Sequence, residues 1–181
     1  FPGVTLVGIV SADSALHLPD FRAGERTFQL LVQVAGRAGR GDTEGEVIVQ
    51  TFTPFHPSLQ FAKTHDFDGF AAQELEMRKN FGHPPFSHLV LLTARADTEQ
   101  KAEFAARTLA HALEKAVPPS VAVSPAAPAP LARVRGMYRY QIVARGKQIR
   151  ALVKAVRETL AASKLPAGTF VAVDVDPVAV L

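Results

Sequence analysis

Two arginines and a glutamine stand at a spacing suited to phosphate chemistry, in the stretch Gln33-Val34-Ala35-Gly36-Arg37-Ala38-Gly39-Arg40-Gly41. On a helix, intervals of four and three residues put Gln33, Arg37 and Arg40 on one face. One amide and two permanently charged guanidinium forks then converge on a single partner, and phosphate oxygens match that fork. Gly36 and Gly39 carry no side chain and let the partner, or a facing domain, come close. The same residues also suit a helix C-terminus, where glycine takes a left-handed cap and arginine complements the dipole. A flexible RNA-binding tail fits poorly, because Leu30, Leu31, Val32, Val34 and Ala35 lead straight into the motif and imply a packed helix.

A second concentration of cations lies further on. Between Arg133 and Arg157 stand Arg133, Arg135, Arg139, Arg145, Lys147, Arg150, Lys154 and Arg157, with no acidic residue among them. Helical spacing groups Arg150, Lys154 and Arg157 on one face, and Tyr138 and Tyr140 interleave with the strand arginines. Cations neutralise backbone phosphates and aromatic rings stack on exposed bases, so the pattern suits DNA or RNA contact without sequence readout. The competing reading is a solvated basic face with both tyrosines packed in the core, in phase with Ile142. Asp13, in the polar cluster Ser11 to Ser14 after an apolar run, either faces a nucleotide, orients an arginine or caps a turn or a helix. His83 has no second ligand at metal spacing. The chain has no cysteine, which excludes disulfides and thiolate metal sites; no metal site is expected.

These residues need elements to hold them. Val4 to Val10 reads as a parallel strand buried on both faces. A helix beginning near Pro19-Asp20, with Asp20 as its N-cap, carries Phe28, Leu31 and Ala35 inward and ends near Gly39 or Gly41. Glu46 to Phe52 is a second strand, so this region is a βαβ-like piece of an α/β domain. Ser58 caps a long helix that breaks near Asp66 and continues to about Asn80, its solvated face carrying Glu74, Glu76, Arg78 and Lys79. Beyond Ser87 the pattern becomes a strand over His88 to Ala96, a helix from Asp97-Thr98 to about Ala116, an extended proline-rich stretch over Val121 to Val134, a strand over Tyr138 to Ala144, a helix from Gln148 to about Ala162, and a closing strand from Phe170. That order is β-α-β-β-α-β, the ferredoxin-like split arrangement.

Composition sets the outer limits. At 181 residues the chain can hold one large or two small domains around real cores. It has no run of eighteen apolar residues and no signal-peptide pattern, so no membrane partner is expected. A reducing, cytoplasmic compartment is compatible with the absence of cysteine. The net charge of +3 hides an asymmetry: up to Phe86 there are seven Lys/Arg against ten Asp/Glu, and after it thirteen against seven. The shift near Pro84-Pro85 marks the expected boundary, giving an α/β domain over 1–86 and an α+β domain over 87–181 whose basic balance suits an anionic partner. The opening Phe1-Pro2-Gly3, without an initiator methionine, suggests a fragment of a longer protein.

Several motifs in order, namely Phe1 to Val7, Leu18 to Arg26, Gln33 to Gly41, Pro84-Pro85-Phe86, Arg135 to Ile142 and Asp174-Val175-Asp176-Pro177, resemble the last third of the replication-restart DNA helicases of the PriA (primosomal protein N′) family. The resemblance implies a superfamily 2 helicase that uses ATP and Mg2+ to move 3′ to 5′ and reload the replication machinery at stalled forks. It implies that residues 1–86 are the C-terminal part of a RecA-like second lobe, with Gln33 to Gly41 as helicase motif six. Gln33, Arg37 and Arg40 would then approach the γ-phosphate of ATP, with Arg40 the arginine finger; Gly36 and Asp13 join Gln33 as candidate cofactor-binding residues. The later residues would bind forked or single-stranded DNA, single-stranded DNA-binding protein and other primosome proteins. The chain contains no Gly-x-x-x-x-Gly-Lys-Ser/Thr loop, DExH box or zinc-binding cysteine pairs, so the family's zinc is not expected here, and this piece alone is expected neither to hydrolyse ATP nor to unwind DNA. The alternative is a non-enzymatic DNA-binding and scaffolding module of a replication protein.

Overall fold

In the computed structural model the described residues are 4–38 and 45–180. They form two compact units, Phe1–Phe81 and Gly82–Leu181.

In the first unit, β1 (Leu6–Ile9) and β2 (Glu46–Val49) pair in parallel, Leu6 opposite Glu46 and Ile9 opposite Val49. Between them in the chain come a short helix α1 (Asp13–Leu16) and the long α2 (Ala23–Ala35). Helix α2 turns Phe28 and Leu31 into a core shared with Leu59 and Ala62 of α3 (Pro57–Lys63) and Phe70 of α4 (Phe67–Phe81). Phe28 and Phe70 stack with ring centroids 4.3 Å apart and planes 1° from parallel. Gly24 lets α3 approach α2, and its carbonyl accepts the Ser58 hydroxyl at 2.8 Å.

Four sequence expectations change in this unit. Strand β1 is half-covered rather than buried on both faces, with Leu6 57% exposed, because α2 packs on one side of the strand pair only. The N-terminus of α2 lies three residues after Asp20, whose carboxylate accepts the Arg22 amide and pairs with Arg26 at 3.1 Å. His56, not Ser58, caps α3, its Nδ1 accepting the Ser58 amide at 3.2 Å. Arg78, expected on a solvated face, is 8% exposed. Its guanidinium reaches Glu74 and Glu25, each at 2.8 Å, and lies over the Phe21 ring, tying α4 to α2.

The second unit is a mixed sheet-and-helix layer. Its strands are β3 (His88–Ala96), β4 (Ala122–Val123), β5 (Ala127–Val134), β6 (Met137–Gly146) and β7 (Phe170–Val175); its helices are α5 (Glu99–Ala116) and α6 (Ile149–Ala162). Strand β6 pairs antiparallel with β3, which pairs antiparallel with β7; β4 and β5 both pair with the outer side of β6. Apart from the two-residue β4, this is the β-α-β-β-α-β order expected, with the proline-rich stretch forming β5. The strand period of two then sorts the sheet. Val90, Leu92, Ala94, Tyr140, Ile142 and Ala144 face the helices and pack on Leu109, Leu113, Leu152 and Val156. Full burial of Leu92, Leu109, Leu113 and Ile142 contributes about 1.5–3 kcal/mol each, which makes this layer rigid support for the other face.

Candidate nucleic-acid interface

The side of the sheet turned away from α5 and α6 carries the alternate residues. By register, Arg139 of β6 stands directly opposite Arg95 of β3, and Arg95 is opposite Phe170 of β7. The next row reads Gln141, Thr93 and Ala172. A row of two guanidinium groups and an aromatic ring therefore crosses three strands, about 10 Å at the usual strand spacing.

The β5–β6 hairpin closes one side of this row. Its two turn residues, Arg135 and Gly136, have φ of 51° and 81°, the paired left-handed conformations of a tight hairpin turn. Glycine adopts that geometry freely; arginine pays roughly 1–2 kcal/mol for it. Turn geometry therefore does not explain Arg135. Its side chain instead lines, with Thr93, Arg95, Arg139, Phe170 and Ala172, a groove of about 690 Å3. Among the described residues none of these three arginines has a carboxylate within ion-pair distance, and Arg139 makes only a marginal 3.5 Å approach to the Leu131 carbonyl.

Of the other basic residues, the structure keeps Arg145 on this side of the sheet, further along β6, and distributes the rest over several places. Arg133 lies on the helix side of the hairpin, its guanidinium 4.9 Å from the centroid of the Tyr138 ring. Arg145 is opposite Leu89, and Lys147 is exposed in the bend that follows β6. Six residues separate Arg139 from Arg145, roughly 20 Å along the strand. Arg150 belongs to a separate groove on α6, with Ile149, Val153, Lys154 and Arg157, where Glu158 approaches Lys154 at 3.8 Å.

The tyrosines follow the core alternative. Tyr140 is 7% exposed, and its hydroxyl donates to Glu99 Oε1 at 3.1 Å. Burial, then that hydrogen bond, raises the phenol above its ordinary value. Tyr138 is half-buried against the same core. Neither ring belongs to the arginine row, because both share the phase of Ile142. The aromatic residue that does is Phe170, 61% exposed, and sequence reasoning missed both it and Arg95. Their only sequence signal was position at the end of one strand and the start of another.

In the first unit, α2 ends at Ala35 with Gly36 as C-cap, and the next turn continues through Arg37 and Ala38. Gln33 is thus helical, whereas Arg37 stands just past the helix end, which corrects the expectation of one continuous helical face. Arg40, Gly39 and Gly41 lie outside the described residues. Gln33 and Arg37 are exposed. Gly36 has φ −68°, and a Cβ there would meet only carbonyls of its own helix at 3.5 and 3.6 Å. Among the described residues, neither backbone nor packing requires glycine here.

Asp13 has a structural occupation. Its carboxylate accepts Thr53 Oγ1 at 2.7 Å, Thr51 Oγ1 at 2.9 Å and the Phe52 amide at 3.0 Å, fastening the chain after β2 to the end of β1. The Thr53 hydroxyl above all, then the Phe52 amide, holds its pKa at about 2 against the opposing effect of burial. Those bonds favour turn-fastening over a nucleotide-facing role. Among the described residues no cluster of three His, Asp or Glu side chains could hold a metal, and no helix is long and apolar enough to cross a membrane.

Comparison with known proteins bears on these surfaces. Residues 79–178 match the family model described as the primosomal protein N C-terminal domain. Over 180 residues the chain is 41% identical to the replication restart protein PriA of Bacillus subtilis, covering 98% of this chain and 22% of that protein. It is 46% identical over 183 residues to PriA of Treponema pallidum, covering 100% and 28%, and 38% identical over 178 residues to PriA of Synechocystis, covering 98% and 21%. The chain therefore spans between about a fifth and somewhat over a quarter of the length of these relatives. Among solved structures, a de novo designed protein, Foldit4, aligns over 49% of the chain at 16% identity and a TM-score of 0.39.

Proposed function

This chain belongs to the PriA family of replication restart proteins, and we propose that it carries the last part of the motor of an ATP-dependent 3′ to 5′ DNA helicase and, in its second unit, a surface that grips DNA. The observation that carries this reading is the uncompensated cross-strand pair Arg95–Arg139, joined by Arg135 at the hairpin. Like charges directly opposite one another destabilise a sheet. Three such cations around one groove, without carboxylates, suit a ligand that brings negative charge, and the DNA backbone does so at every nucleotide. Arg145, Lys147 and Arg150 would extend the contact along a fork, while Arg133 supports the hairpin through Tyr138.

For the first unit, the proposal is the C-terminal part of a RecA-like lobe. Exposed Gln33 and Arg37, at the end of α2, fit a surface that meets a nucleotide held elsewhere in the protein. ATP with Mg2+ would supply the energy of translocation. Gln33 and Arg37, with Arg40, would donate hydrogen bonds to its γ-phosphate and stabilise the charge that develops there. Single-stranded DNA-binding protein and other primosome proteins are the proposed partners at forks in the cytoplasm. By itself the 181-residue chain is expected to bind DNA and turn over no ATP.

The test is a fluorescence-anisotropy titration of this chain against a labelled forked oligonucleotide at several salt concentrations. Log affinity should fall linearly with log salt. No binding at low salt, or a flat salt response, rejects the DNA-gripping role.

A further inference from the structure

We propose that Phe170 is a base-stacking platform, so that the arginine groove takes an unpaired stretch of DNA rather than an intact duplex. The inference rests on the reading of this surface as a DNA contact and assigns the strand form that it recognises.

Phe170 is the first residue of β7 and stands at the end of the row Arg139–Arg95–Phe170. Its in-chain neighbour Val171 turns toward the helix core, so strand alternation holds the Phe170 ring on the arginine side. An apolar ring 61% exposed in a row of cations does not add to the core. The residues beside it along the groove are small, Thr93 and Ala172, which leaves depth for a flat ligand against the ring. In the same row as these two, the buried Gln141 side-chain nitrogen has no hydrogen-bond partner among the described residues, although it does not line the groove.

Cations on one flank and an aromatic ring on the other match the two halves of a nucleotide. Arg95 and Arg139 meet the phosphates while the base lies on Phe170. In a duplex both faces of each base are covered by neighbouring pairs, so the ring gains nothing; in a single strand the face is free, and stacking tolerates any base. Duplex DNA would still find the arginines, but with only the electrostatic part of the affinity.

The chain contains no tryptophan, so Phe170→Trp introduces one fluorophore that reports the site directly. Its emission should be quenched by an oligothymidylate and unaffected by an oligomer of equal length made of abasic sites. Phe170→Ala should lose roughly 5- to 150-fold in affinity for oligothymidylate and nothing for the abasic strand. Thermal melting of both variants checks that the unit still folds. Equal losses on the two oligomers, or no loss on either with Phe170→Trp left unquenched, overturn the stacking role. Arg95→Gln with Arg139→Gln separates the two readings: it should weaken both oligomers alike, and if it weakens neither, the DNA contact itself fails whatever Phe170 does.

Discussion

Replacing Arg95 and Arg139 together by glutamine should move stability and DNA binding in opposite directions. The two side chains face each other across β3 and β6 with no carboxylate between them, so removing both charges relieves a like-charge pair. Relief of such a pair is worth on the order of 0.5 kcal/mol. For a unit of this size that raises the melting temperature by about 2–4 °C. On a single strand each lost phosphate contact lowers the log–log salt slope by about 0.7, so the pair should flatten it by about 1.4. Between 50 and 200 mM salt, the variant would then lose roughly sevenfold less affinity than the unaltered chain. Differential scanning fluorimetry and anisotropy titrations on the same preparations read both effects. A destabilised variant with an unchanged salt slope would mean that the arginines serve the fold, and the reasoning would be wrong.

Other perturbations separate the remaining roles. Tyr140→Phe removes the hydroxyl that donates to Glu99 and should lower the melting temperature of the second unit by about 4 °C, with the DNA salt slope unchanged; a changed slope would return Tyr140 to the DNA surface. His56 caps α3 as the neutral imidazole, and burial pushes its pKa below the ordinary 6.5 despite the opposing charge of Glu74. Its stabilisation is therefore complete above about pH 6.5 and declines as pH falls through the depressed folded value, since the unfolded chain then binds the proton more readily. Acidification should destabilise the first unit in urea melts, and His56→Asn, which caps without titrating, should abolish that dependence; an equal loss in the variant assigns it to another group. In the full-length protein Arg40→Ala should reduce DNA-stimulated ATP hydrolysis by about a thousandfold or more and leave fork binding nearly intact; retained turnover rejects the finger role.

The parts of the fold legible in sequence were those governed by local period. Tyr138, Tyr140, Ile142 and Ala144 alternate, and the structure puts them on one side because a strand leaves them no other choice. Thr98 caps α5 as its position before an amphipathic run suggests, its hydroxyl accepting the Lys101 amide at 3.4 Å. The sequence pattern places Arg78 on a solvated face. Its partner Glu25 lies 53 residues away, and no periodicity reports such a contact. The sequence places the end of the helix carrying Gln33 among the glycines, near Gly39 or Gly41. It ends at Ala35 instead, just before Gly36, whose helix propensity is about 1 kcal/mol poorer than alanine's.

The candidate site shows why a basic cluster counted along the chain differs from a basic surface. Arg133, Arg139 and Arg150 lie within eighteen residues, yet one stacks on Tyr138, one faces the groove and one belongs to α6. Arg95 lies far from all of them in sequence and beside Arg139 in space, because antiparallel pairing brings the end of β3 against the start of β6. The same pairing places the start of β7 on the other flank and so supplies Phe170. Charge along the chain thus suggests the sign of the proposed partner, whereas register decides which charges stand together and gives them an aromatic companion. An anionic, flat and unstacked ligand is what that combination favours, since each of its two chemistries answers one half of a nucleotide.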